Sequence, residues 1–222
     1  MSNPSSVNLF DSRADLAKAE SPLAFSKSRG DLPAVSRDSR VVVRERPFLG
    51  HLILRGGAIV LDEAVREELG INLPGRPQGL TLDASGERSI QWLSPDEWLL
   101  VVPGGEEFNL ERRLRQQLAD ASFAIVNVSG GQTLLELEGD AVRELLLKSV
   151  VYDVHPVHFP VGKGVTTVFA KTSAIVRRPN ERCWQLVVRR SFADYCLRWL
   201  LDAGEEYAIG VELGDESRGA MP

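Results

Sequence analysis

Ala64-Val65-Arg66-Glu67-Glu68-Leu69 returns 77 positions later as Ala141-Val142-Arg143-Glu144-Leu145-Leu146, and Trp98…Val101-Val102 returns 86 positions later as Trp184…Val187-Val188. A period near 80 residues is too long for a solenoid, whose repeats run about 20–50 residues. It points to a duplicated α+β unit, in which antiparallel sheets carry helices on one face. The units fall at residues 41–120 and 121–211, and each half reads as two strands, a helix, three strands and a helix. Two such units are expected to share one core or a broad interface.

The elements around these echoes follow from periodicity and punctuation. Residues 40–46 and 50–55 are rich in Val, Leu and Ile and read as strands, with Pro47 at the turn where its missing N–H costs least. Asp62 is placed to N-cap a short helix bearing Val65 and Leu69, which Gly70 stops. Residues 71–89 read as loop; 89–93 and 97–102 read as strands around the Ser94-Pro95-Asp96 turn. A helix over 106–120 aligns Leu110, Leu114 and Leu118, and its first turn holds Glu106 and Glu107, which the helix dipole favours. In the second half, strands at 123–128 and 132–138 flank Ser129-Gly130-Gly131, and Asp140 is placed to cap a helix carrying Val142, Leu145 and Leu146. After a loop to Pro160, strands are expected at 165–170, 174–177 and 183–189. Ser191 is placed to cap a last helix with Phe192, Tyr195, Cys196, Trp199 and Leu200 on its buried stripe, before a short strand near 207–211.

Composition bounds the function. The chain has 222 residues, 43% hydrophobic and 26% charged, with a net charge of −5. An acidic balance argues against nucleic acid as the main partner. Apolar runs of five or six residues fall short of the ~20 needed to cross a bilayer. Two cysteines exclude a disulfide framework, and no leader pattern opens the chain, so a soluble, cytoplasmic protein is expected. Residues 1–40 hold nine serines and few large apolar groups. They read as a flexible Ser-rich arm, either a disordered tail or a segment that orders on a partner. Residues 212–222 form an acidic tail.

No catalytic constellation emerges, and no catalytic, cofactor-binding or metal residue is assigned. His51 opens a strand and reads as a satisfied, partly buried imidazole. His155 and His158 have a spacing that resembles metal ligation, but Pro156 between them disfavours a helix presenting both rings on one face. Cys183 and Cys196 read as small core hydrophobes. Gly56-Gly57, Gly104-Gly105 and Gly130-Gly131 sit at turns, where positive φ accounts for them. Val161-Gly162-Lys163-Gly164 lacks the upstream glycine and the Ser/Thr of a P-loop, and the adjacent carboxylates Asp96-Glu97 point to different sides of a strand end. Trp92 and Trp98 flank a turn, as core filling or as an interface anchor. Arg177-Arg178 and Arg189-Arg190 end two successive strands, as solvated strand ends or as a basic patch at one edge for an acidic partner.

Three stretches together carry a family resemblance: Pro47-Phe48-Leu49-Gly50-His51-Leu52, Trp92-Leu93-Ser94-Pro95-Asp96-Glu97-Trp98-Leu99-Leu100, and Val188-Arg189-Arg190-Ser191-Phe192-Ala193-Asp194-Tyr195. Over residues 41–210 the chain resembles the gamma subunit of heterotetrameric sarcosine oxidase. The resemblance implies a fold similar to the folate-binding domain of aminomethyltransferase, and a non-catalytic structural subunit that contacts the alpha subunit directly within a complex that also holds beta and delta. It implies that this complex demethylates sarcosine oxidatively to glycine, yields hydrogen peroxide, and passes the one-carbon unit to tetrahydrofolate. FAD, FMN, NAD and zinc are implied on the other subunits and none on this chain. Aminomethyltransferase carries an acid after the third strand of its second unit; the comparable Lys171-Thr172-Ser173-Ala174-Ile175-Val176-Arg177-Arg178 has none. The alternative is a free-standing folate-binding, one-carbon-transferase-like protein of the same fold.

Overall fold

A computed structural model describes residues 19–214. Two sheets divide the strands. The first holds β2 (Gly50–Gly56), β3 (Leu80–Leu82), β4 (Ser89–Ser94), β5 (Glu97–Val102) and β6 (Phe123–Asn127), in the order β3-β4-β5-β2-β6. The second holds β1 (Val41–Arg46), β7 (Gln132–Glu138), β8 (Lys163–Phe169), β9 (Thr172–Arg178), β10 (Cys183–Arg189) and β11 (Ile209–Glu212), in the order β8-β9-β10-β7-β1-β11. The two orders superimpose strand for strand as far as β6 and β1, with Trp98 on β5 answering Trp184 on β10, so the duplication heard in the letters is present in the topology.

The strands do not sort by halves of the chain. β1 pairs antiparallel with β7, Val43 opposite Leu137, and β6 pairs antiparallel with β2, Ile53 opposite Val126. Each half thus lends its first strand to the other half's sheet, and the division at 120/121 separates strands that belong together. Nor is the pairing wholly antiparallel, because β11 adds beside β1 in parallel.

Helices α2 (Ala58–Leu69) and α3 (Glu106–Leu118) cover the first sheet; α4 (Val142–Ser149) and α5 (Ala193–Ala203) cover the second. On β5, Trp98, Leu100 and Val102 join the core under α2 and α3, while Leu99 and Val101 meet Leu134, Ile175 and Val187 of the opposite sheet. On β10, Trp184, Leu186 and Val188 face the helices and Val187 faces inward. Both faces of these central strands are covered, which is why they read as near-continuous apolar runs. Leu110, Leu114 and Leu118 of α3, and Cys196 and Leu200 of α5, are buried as expected; Tyr195 and Trp199 are half-buried, and Phe192, expected on the same stripe, is exposed because it lies on the 3-10 turn before α5 begins.

Several local expectations are corrected. The stretch read as loop at 71–89 contains β3, too short to show an alternation. None of the three proposed caps is made. α2 begins four residues before Asp62, whose carboxylate instead accepts from the Leu73 N–H (2.7 Å) and Asn72 Nδ2 (3.0 Å), tying the helix to the next loop. Asp140 is drawn away to Arg40, 3.2 Å across the sheet end, and Ser191 lies inside a 3-10 turn that precedes α5. Of the paired glycines, only Gly56 and Gly105 have positive φ. Gly104 is required by close approach of the Phe48 carbonyl, and Gly130-Gly131 form part of a 3-10 turn.

The arm expected at 1–40 is structured from residue 19; residues 1–18, and 215–222 of the acidic tail, lie outside the described residues. Leu23 is fully buried in the second sheet's core and starts a short helix, α1 (Ala24–Ser28). Ser21 Oγ donates to Glu45 Oε2 at 2.6 Å, and Thr133 Oγ1 donates to Glu45 Oε1 at 3.1 Å. Burial raises the Glu45 carboxyl above its ordinary range, against the opposing pull of these two hydroxyls, Arg190 and Lys27. A carboxyl whose folded pKa is raised stabilises fully below its unfolded pKa, and that contribution is lost as pH rises through the folded value. Glu45→Gln is therefore expected to raise the urea midpoint at pH 8 and to leave it nearly unchanged near pH 4.5. An equal shift at both values would show that the carboxylate carries no such cost.

Each sheet edge is partly covered. β3 and β8 are tied to each other: Gly79 bridges Lys163, the Leu80 N–H donates to the Gly162 carbonyl (2.9 Å) and the Gly164 N–H to the Gln78 carbonyl (2.8 Å). β11 is covered by residues 33–40, with the Val211 N–H donating to the Pro33 carbonyl (2.9 Å) and the Arg40 N–H to the Tyr207 carbonyl (3.1 Å). On β6, Arg115 donates to the Ile125 carbonyl at 2.8 Å and lies over the Phe123 ring. An unprotected edge templates association with another chain, and a charged side chain at the edge opposes it.

Candidate functional site

His51 is fully buried on β2; its Nδ1 lies 3.0 Å from the Leu49 carbonyl and its Nε2 meets no partner, and burial pushes its pKa down to about 4. His155 and His158 sit on an exposed loop beside Asp153, with His158 Nε2 3.7 Å from its carboxylate. Cys183 and Cys196 are buried, and burial pushes each thiol up to about 12, far from the thiolate a nucleophile requires. Asp96 pairs with Ser94 Oγ (2.9 Å) and Arg55 (3.4 Å) at the turn. Among the described residues no group of three or more His, Cys, Asp or Glu side chains could hold a metal ion.

The four strand-end arginines do not form one patch. β9 and β10 are antiparallel, with Gln185 opposite Arg177 and Val188 opposite Ala174, so the two pairs leave the sheet at opposite ends. Arg177 is only 1% exposed and points between the sheets, where Nη2 donates to Ser89 Oγ of the first sheet at 2.7 Å. Its Nε and Nη1 have no partner, and burial pushes its pKa down to about 10, so it stays charged at neutral pH. Nearby, Gln185 Nε2 donates to Glu136 Oε1 (3.0 Å), and Gln91 Nε2 donates to the carbonyl of Gly164 on the opposite sheet (3.0 Å). The segment in which the resemblance looked for an acid thus contributes a cation that joins the two sheets. Arg178 is also buried, donating to the Phe159 carbonyl (2.9 Å) and pairing with Glu181.

Only Arg189 and Arg190 remain exposed, at the end of β10. They line a hollow of about 610 Å³ with Phe25 and the Gly130-Gly131 turn. Phe25 is 71% exposed and Phe192, on the turn into α5, is 42% exposed. Ser26 donates to Asp194, and Arg190 Nη2 donates to the Glu20 carbonyl (2.7 Å), so the arm and this turn are locked together. Sequence reasoning singled out Arg189 and Arg190 but passed over Phe25. The apolar triplet Leu23-Ala24-Phe25 inside the serine-rich segment was the available signal. Trp98 is core and Trp92 half-buried against the same cluster, so the Trp-flanked turn is a packing feature.

The duplicated α+β sandwich with exchanged first strands, and helices outside both sheets, is a fold shared with an aminomethyltransferase. The structure is similar to glycine cleavage system aminomethyltransferase T from Bartonella henselae, with a TM-score of 0.64 at 12% identity over 89% of this chain and 59% of that one. Within that fold, residues 56–206 match the model of the sarcosine oxidase, gamma subunit family, and the chain belongs to that family. It is 34% identical over 153 residues to sarcosine oxidase subunit gamma of Corynebacterium sp. (strain P-1), covering 69% of this chain and 72% of that protein. To the subunit from Corynebacterium sp. (strain U-96) it is 30% identical over 189 residues, covering 85% and 91%. A solved heterotetrameric sarcosine oxidase from Corynebacterium sp. U-96 contains a chain that matches at TM-score 0.76 and 29% identity, covering 86% of this chain and 96% of that one.

Proposed function

We propose that this chain is a non-catalytic structural subunit of a heterotetrameric sarcosine oxidase, holding the alpha subunit of a complex completed by beta and delta. The observation that carries the reading is family membership together with the match to a chain of a solved heterotetramer over nearly the whole of both. Inside the chain, the groups that chemistry would use are engaged in holding the fold: Arg177 joins the sheets, Glu45 anchors the arm, and both thiols are buried. In this reading the oxidative demethylation of sarcosine to glycine, the hydrogen peroxide formed and the one-carbon unit delivered to tetrahydrofolate belong to sites elsewhere in the assembly. FAD, FMN, NAD and zinc are assigned to its other subunits, and the complex is cytoplasmic. No helix among the described residues is long and apolar enough to cross a membrane.

Purified alone, the chain is expected to be colourless, to show no sarcosine turnover, and to give no saturable heat on titration with reduced folate. Co-expressed with the flavoprotein subunits, it is expected to co-purify with them. A yellow, active monomer would overturn the reading. Saturable folate binding by the isolated chain would favour a free-standing one-carbon transferase instead.

A further inference from the structure

The proposed role requires a surface that holds another subunit. Interface energy concentrates in a few aromatic and arginine side chains set in a pocket. Phe25 and Phe192 are the two aromatic side chains exposed among the described residues, and both lie at the junction of α1 with the turn into α5. Arg189 and Arg190 border the same hollow, and Arg189 makes no side-chain hydrogen bond or ion pair among the described residues. Of the acids near this face, Glu45 is buried under Ser21 and Asp194 is bonded to Ser26 and Arg198, while Glu20 lines the hollow and leaves its two arginines in excess. On a chain of net charge −5, this is a cationic, aromatic surface facing solvent.

Other exposed apolar groups lack this combination. Ile59 lines a hollow at the start of α2 whose rim carries Asp62, Glu63 and Arg66, and it brings no exposed aromatic ring. Leu147 and Val151 flank the end of α4 and likewise bring no exposed ring.

Resting on the structural-subunit reading, we propose that Phe25, Phe192, Arg189 and Arg190 form the docking face of this chain. Its occupant is a segment of a neighbouring subunit that presents a carboxylate beside an apolar side chain. The carboxylate meets Arg189, and the apolar group enters the hollow against Phe25. The arm from residue 19 is then part of the interface. Ser26 and the Glu20 carbonyl hold it to α5 and Arg190, so the face is formed before the partner arrives and little ordering entropy opposes association.

The test uses the co-expressed multi-subunit complex, with association of this chain measured by surface-immobilised titration and by its share in the purified complex. The double variant Phe25→Ser/Arg189→Glu is expected to weaken association about 100-fold or more, since loss of two anchor residues has that scale. Arg189→Glu alone keeps the test valid if the double variant fails to fold. It is expected to slow association about tenfold at low salt, with the difference shrinking as salt rises. Both variants should melt within a few degrees of the wild type as isolated chains, because both side chains face solvent. Wild-type binding that the double variant retains undiminished would overturn the docking face and leave the subunit reading standing. Failure of the wild-type chain to associate would overturn both. Loss of self-association by the isolated chain, with the complex unaffected, would make a second copy the occupant and overturn the proposal.

Discussion

Separating the chain between Asp120 and Ala121 is expected to give two halves, neither of which folds by itself. Residues up to 120 retain β2–β5 but lose β6, and with it the pairing of Ile53 with Val126 and the packing of Ile125 under α3. They also keep β1 with neither of its neighbours, β7 and β11. Residues from 121 retain β7–β11 but lose β1 from between β7 and β11, leaving β11 without a neighbour strand. Val41 and Val43 leave that core, and a fully buried valine contributes about 1.5–3 kcal/mol. Both halves also lose the cover their inner faces receive from the opposite sheet. Against a net stability of about 5–15 kcal/mol for a whole domain, these losses leave no folded margin. Each half expressed alone should aggregate, and the two co-expressed should recover a complex with the far-ultraviolet spectrum of the intact chain. Two soluble halves that each unfold cooperatively would contradict the strand exchange.

Gly139→Ala is expected to destabilise the chain by more than about 3 kcal/mol. Gly139 leaves β7 at φ +136°, a conformation side chains rarely adopt, and a Cβ built there would lie 2.0 Å from the Arg40 carbonyl. That carbonyl is backbone at the entrance to β1 and itself accepts from the Ala141 N–H, so neither partner yields without disturbing the exchanged strand. At about 2–4 °C per kcal/mol for a chain of this size, the melting temperature should fall by roughly 6–12 °C or more. Gly130→Ala is the control: its Cβ would meet nothing within 4 Å, and a shift of no more than about 0.5 kcal/mol is expected. Similar melting temperatures for the two variants would show that the β1–β7 crossing is not a rigid point of the fold.

Much of the local structure was legible because it obeys short periods. Leu110, Leu114 and Leu118 recur every four residues and are buried as a row; the repeated Trp…Val-Val at Trp98 and Trp184 marks equivalent strands of equivalent sheets. The caps were misjudged for two reasons: Arg40 claims Asp140 from 100 positions away, and α2 and α5 start away from Asp62 and Ser191. β3 escaped notice because three residues cannot display a two-residue period convincingly.

The surface was less legible than the core. Arg177-Arg178 and Arg189-Arg190 look equivalent as letters, yet antiparallel pairing sends one pair into the interior and the other into solvent. Phe25 sits in a serine-rich segment whose composition reads as unfolded, and the seat of Leu23 in a core built from residues 41–209, with the bonds of Ser21, Ser26 and Glu20 to distant residues, gives that segment a fixed course.

The amino-acid sequence by itself determined the duplicated α+β plan, the helical stripes and the family resemblance, because each is written in neighbouring residues. Tertiary structure alone decided that the first strands change places, that Arg177 joins the two sheets, and that Phe25 and Arg189 share one face. Those outcomes depend on which distant segments meet, and pairing between segments far apart in the chain is governed by burial of the assembled faces, which no local pattern records.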